Sequence, residues 1–195
     1  MSTVELLIPE QTDTGRFCRY DAYFGSMSES DTVERARRAA AANESFEPLE
    51  DGAYTVTTTA FEGSVEIGAD GGTVVFTVTV AVPMLDVVTE DAVAPVVEDG
   101  WFETFELRIG DVDGAIRGDD ASASVRQDGD EAVVTVELRD LDATRAAADA
   151  VAVVEYVEGT YVEGIIPGYE YTEPVTLLVQ QAADAAGGSK GGTPL

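Results

Sequence analysis

The segment Thr73–Val82 constrains this chain more than any other. Val74, Phe76, Val78 and Val80 fall on one side of an extended chain, and Thr77, Thr79 and Ala81 fall on the other. Strict alternation of this kind over ten residues is the signature of a strand with one face in a core. Asp70-Gly71-Gly72 precedes it and Pro83 closes it. Upstream, Tyr54–Thr59 and Ser64–Ile67 alternate in the same way, with Glu62-Gly63 between them. Downstream, Ala121–Gln127 and Asp130–Arg139 flank Asp128-Gly129, a strong short-range hairpin signal. Links this short join antiparallel neighbours, so the sheet is expected to be mostly antiparallel.

Helical periods fill most of the remainder. From Asp31 to about Asn43, Val33, Ala36 and Ala40 share a face, with Ser30 or Asp31 placed to cap and Glu34 close behind. Residues 44–52 contain Pro48 and Asp51-Gly52 and read as a loop. Over 95–109 two periods compete. Val97, Trp101, Phe105 and Ile109 recur at i+4 behind Pro95, whereas Phe105, Leu107 and Ile109 alternate with charged residues. Helix is the preferred reading, with Gly110 at its end. After Asp140 or Asp142, a stripe of Ala147, Ala150, Val151, Val154, Val157, Tyr161 and Ile165 predicts a long helix, stopped by Pro167-Gly168. Pro174 opens a last helix with Val175, Leu178, Val179 and Ala182 on one side. These elements predict one α+β domain over 29–186, in the order α-β-β-β-α-β-β-α-α, with a five-stranded, mostly antiparallel sheet and helices packed on one face. Residues 1–28 read as a flexible arm, or as an upstream non-native extension if Met27 is the biological start, and 187–195 as a disordered tail.

Charge sets the environment. Thirty-eight acidic residues against 11 basic ones leave a net charge of −27. The carboxylates are spread along the chain, and Lys190 is the single lysine. Dispersed carboxylates with scarce lysine fit salt adaptation, because at ~1 M salt a Debye length of ~3 Å screens their mutual repulsion. Surface cations are expected, and a nucleic-acid partner is excluded for want of clustered basic residues. Apolar stretches such as Ala146–Val154 are too short to span a bilayer, and the N-terminal residues lack a basic region followed by an apolar one. A cytoplasmic location follows as the expectation, with no membrane association.

The absence of histidine rules out imidazole as base or metal ligand, and Cys18 alone forms no internal disulfide. No phosphate-cradling glycine loop or nucleophile elbow occurs. Asp111-Val112-Asp113-Gly114 with Asp119-Asp120 departs from the EF-hand pattern and reads as a solvated loop. Arg35, Arg37 and Arg38 gather scarce positive charge, suited to pairing with nearby carboxylates or to docking an acidic partner. Two further candidates carry binding chemistry. Tyr156-Val157-Glu158-Gly159 is nearly repeated at Tyr161-Val162-Glu163-Gly164, and Tyr169, Glu170, Tyr171 and Glu173 follow. Of these, Tyr161, Glu163, Tyr169, Glu170, Tyr171 and Glu173 form the candidate binding set. Phenols and carboxylates near one turn can hold a divalent or organic cation; equally, Tyr161 can pack in the core while the glutamates face water. Trp101, Phe102 and Phe105 form the candidate interface for a protein partner or a homodimer, with core packing as the simpler role. No cofactor or metal is implied, and no catalytic residue is assigned.

Three phrases carry a resemblance. Ala94–Arg108 (APVVEDGWFETFELR), Val154–Val175 and the VTTTAFEGSVEIG hairpin resemble an uncharacterised haloarchaeal domain family of unknown function, over roughly Ser28–Ala186. The element order also resembles type III secretion chaperone-like folds, which implies a binding or adaptor module of the kind that forms homodimers, rather than an enzyme. The alternative is a carboxylate-based, divalent-cation-dependent enzyme or cation binder over residues 156–173.

Overall fold

The structure is a computed structural model and describes residues 28–188. The expectations for the N-terminal arm, Met27 and Cys18 lie outside those residues, as does the tail beyond Gly188. Helix α1 (Glu29–Ala41) is capped by Ser28, whose side chain accepts the Asp31 N–H at 3.2 Å, in place of the expected Ser30 or Asp31. Six strands follow: β1 (Phe46–Pro48), β2 (Tyr54–Val56), β3 (Gly63–Asp70), β4 (Thr73–Pro83), β5 (Ala121–Asp128) and β6 (Glu131–Asp140). They form one antiparallel sheet in the order β1-β2-β3-β4-β6-β5. Helices α2 (Pro95–Ile109), α3 (Ala143–Glu163) and α4 (Val175–Gly188) complete the fold.

The α+β class stands, and the expected strand count and order are corrected. The sheet has six strands, and the order is α-β-β-β-β-α-β-β-α-α. The added strand is β1, inside the stretch read as a loop. Pro48 and Asp51-Gly52 do mark a turn there, with Gly52 at φ +88°, but three residues before it pair with β2. Proline has no N–H to give a ladder, so it sits in a sheet only where an edge leaves that position unpaired, and β1 is such an edge. The extra strand also changes the element order on which the likeness to secretion chaperones rested.

The turns hold the predicted hairpins. Gly71 and Gly72 both have positive φ, +57° and +93°, as a type I′ link between β3 and β4 requires. The competition over 95–109 resolves to helix. Pro95 opens α2, Gly110 follows its last residue, and Trp101, Phe105 and Ile109 are buried while Leu107 faces water.

The core lies between the sheet and α3. Val74, Phe76, Val78, Val80 and Val82 of β4 are buried, with Val134, Val136 and Leu138 of β6 beside them. The opposite set of β4, including Thr77 and Thr79, is half-buried. Against the buried face lie Ala146, Ala147, Ala150, Val153, Val154 and Val157 of α3. Small residues let this helix come close. At Gly63 a Cβ would stand 2.6 and 2.9 Å from the two γ carbons of Val154, so the strand needs glycine for α3 to sit where it does. The α3 N-terminus is tied by Asp142, which accepts the N–H groups of Thr144 and Arg145. Among the described residues no helix is long and apolar enough to cross a membrane.

Candidate binding cleft

The C-terminal end of α3 carries the aromatic centre of the molecule. Tyr161 is fully buried, and its ring meets Phe61, Trp101 and Phe105 edge to face at 4.9, 5.6 and 6.4 Å. Trp101 and Phe105 stack at 5.4 Å. Such pairs add stabilisation beyond the area they bury. Phe61 is brought in by Glu158, whose Oε2 accepts the N–H groups of Ala60 at 2.6 Å and Phe61 at 3.3 Å. Tyr156 anchors α2 by donating its hydroxyl to the Arg108 carbonyl at 2.7 Å. The Tyr161 hydroxyl is buried without a hydrogen-bond partner among the described residues. Burial first, and the nearby Tyr171 second, raise its pKa above the ordinary phenol value.

Of the candidate binding set, the structure gathers the tyrosines and scatters the carboxylates. Tyr171 is half-buried; its hydroxyl accepts the Ile166 N–H at 3.1 Å and donates to the Ile166 carbonyl at 3.0 Å, closing the turn at Pro167-Gly168. Tyr169 lies 6.5 Å from it, ring to ring. The same segment is laced to residues 88–90, through the Glu90 N–H to the Glu170 carbonyl and the Thr172 N–H to the Val88 carbonyl. Glu163, Glu170 and Glu173 are exposed. Among the described residues no group of three or more Asp, Glu, Cys or His could hold a metal ion. The Asp119-Asp120 loop is held from α3: Asp149, buried, accepts the N–H groups of Arg117 at 3.1 Å and Gly118 at 2.9 Å. Beside it, Asp140 takes a two-pronged contact from Arg145 at 2.6 and 2.7 Å.

Of the candidate interface residues, Trp101 and Phe105 are buried and Phe102 is half-buried. The aromatic pair belongs to the core, yet one side of it floors a cleft between α2 and the end of α3. The cleft has a volume of about 390 Å³. Val96, Gly100, Thr104 and Arg108 line it along α2, and Glu163 and Ile166 line it opposite. Val96, on its α2 wall, is 78 % exposed; elsewhere on the same helix Leu107 is 75 % exposed. The Trp101 Nε1 is buried with no hydrogen-bond partner among the described residues, and lies 3.1 Å from where a Cβ on Gly164 would stand. Sequence reasoning passed over Val96, Gly100, Leu107, Arg108 and Gly164. One signal was available: α2 carries apolar residues off the Val97–Ile109 stripe, and a second apolar side on a surface helix marks a second contact.

No curated protein matches the chain, and no solved structure matches it. Residues 41–181 match a family of unknown function, and this span contains all three of the phrases that carried the resemblance. The chain belongs to that family, DUF5813.

Proposed function

We propose that the protein is a salt-adapted, cytoplasmic binding or adaptor module that works by docking a partner at the α2–α3 cleft. The observation that carries this reading is an exposed apolar residue, Val96, on the wall of a cleft floored by Trp101 and Phe105. Apolar side chains at the mouth of an aromatic-floored cleft are the usual make-up of a binding surface. Salt adaptation, of the haloarchaeal kind, draws its support from the net charge of −27 and the single lysine. The alternative, a divalent-cation enzyme over 156–173, gains no ligand set from the exposed and separated Glu163, Glu170 and Glu173.

The test is affinity capture from native lysate at multimolar KCl, with the wild-type chain and Gly100→Leu as parallel baits. A Cβ at Gly100 meets nothing within 4 Å, and Gly100 lines the cleft, so a side chain there starts without a clash and takes up cleft space. A stoichiometric partner held by the wild type and lost by Gly100→Leu is the expected result. Equal recovery on both baits would remove the cleft from the proposal.

A specific observation favours self-association as a second reading. Strand β5 forms an edge of the sheet, with eight residues in unbroken register against β6 and no proline. Uncovered edges of this length pair readily with another strand. Sedimentation equilibrium at multimolar KCl checks it: a dimer broken by Ala123→Pro, at a position whose N–H faces away from β6, supports a homodimer through β5, and a monomer at all concentrations refutes it.

A further inference from the structure

The rim of the cleft carries two opposite charges that have no match within the described protein. Arg108 lies on the α2 side and Glu163 on the α3 side. Neither side chain makes an ion pair or a hydrogen bond with any described residue, and the two do not pair with one another. Arginine is scarce in this chain, and Arg126, Arg139 and Arg145 are each matched to a carboxylate. Among the described residues Arg37 and Arg117 likewise make no ion pair; what sets Arg108 apart is its place over an apolar floor. Between the two charges the surface is Trp101, Phe105, Val97 and Ile166, with the hydroxyl residues Thr104 and Thr160. A third unmet group sits in the wall: the buried Trp101 indole N–H, against Gly164. Buried donors without acceptors are rare in folded proteins, because each one loses water without replacing it.

We propose that this cleft binds a small zwitterion with an apolar body, of the amino-acid class. Its carboxylate meets Arg108, its ammonium meets Glu163, and its side chain lies on Trp101 and Phe105. The charges select for both ends of the ligand at once, since an anion alone leaves Glu163 facing like charge and a cation alone does the same to Arg108. The volume of about 390 Å³ is on the scale of small-molecule sites. The inference rests on the docking reading above and names the chemistry of what docks.

Trp101 is the single tryptophan of the chain, so its emission reports on the cleft directly. The full chain at multimolar KCl is titrated with L-leucine, with calorimetry as the second readout. A saturable change is expected. Arg108→Gln and Glu163→Gln should each weaken it by about tenfold, the loss of one charge-assisted contact. N-acetyl-L-leucine, which lacks the ammonium, should bind about tenfold more weakly and be indifferent to Glu163→Gln. Gly100→Leu should abolish binding while its melting temperature holds or rises, because leucine replaces a mid-helix glycine. No saturation with L-leucine, equal binding of the acetylated form, or binding retained in Gly100→Leu would each overturn the proposal. If L-leucine is silent but a protein partner is still captured and lost with Gly100→Leu, the zwitterion falls and the docking reading stands.

Discussion

Replacing Gly63 by alanine tests the closeness of α3 to the sheet. The new Cβ would lie 2.6 and 2.9 Å from the γ carbons of Val154 and 3.3 Å from its Cβ. Carbon atoms rest at about 3.5–4.0 Å, so the contact is short by about 1 Å. Val154 cannot turn away. It is fully buried and β-branched, with its χ1 strongly restricted on a helix, and both of its methyl groups are involved. The strand or the helix must shift instead. Overpacking of this sort costs about 1–3 kcal/mol. Alanine recovers about 0.5–1 kcal/mol of that, because glycine within a strand carries an entropic penalty. The net expectation is a loss of about 0–2.5 kcal/mol, or up to several degrees in melting temperature for a chain of this size. Urea unfolding at multimolar KCl measures it. Val154→Ala alone loses the burial of two methyl groups, about 1.6 kcal/mol before any cavity contribution. In the double variant only the 3.3 Å contact survives, so the two changes should offset one another by about 1 kcal/mol or more. A clearly stabilising Gly63→Ala, or strict additivity in the double variant, would refute the close-approach argument.

Other expectations are as definite. Tyr161→Phe removes a buried hydroxyl that has no partner among the described residues, so stability should hold or rise by about 1 kcal/mol; a clear loss in thermal melts would show that the hydroxyl is satisfied. Asp149→Ala strands the Arg117 and Gly118 N–H groups and should lose about 1–3 kcal/mol in denaturant unfolding, with faster amide exchange at both positions. Arg145 holds the Asp140 carboxyl below its ordinary value of 3.8, against the opposing effect of burial. A depressed folded pKa stabilises above the unfolded value and is lost as pH falls through the folded one. The stability gap between wild type and Asp140→Asn should therefore be full at neutral pH and close below about pH 4. Folding cooperativity should drop when KCl falls below about molar, where the Debye length exceeds ~3 Å; circular-dichroism melts with the same midpoint in dilute buffer would refute the salt-adaptation reading.

What the sequence determined by itself is what depends on residues a few positions apart. Alternation marked β4, the glycines at 71, 72 and 129 marked the hairpins, Pro95 and Gly110 bounded α2, and Asp140 or Asp142 marked the start of α3. The periodic stripe on α3 allowed Tyr161 a core place beside its candidate binding role, which burial decided, and family membership was legible in contiguous phrases. Tertiary structure alone decided the rest. Strand β1 is too short to show a period, and it exists because β2 offers it an edge. That β6 rather than β5 lies beside β4 follows from pairing between segments some fifty residues apart, which no local pattern encodes. Gly63 reads as a turn residue in sequence; only the arrival of α3 gives its missing Cβ a purpose. The cleft is of the same kind. Arg108 and Glu163 are ordinary surface charges until two helices set them on opposite rims of one aromatic floor, because unmatched charge is a property of neighbours in space.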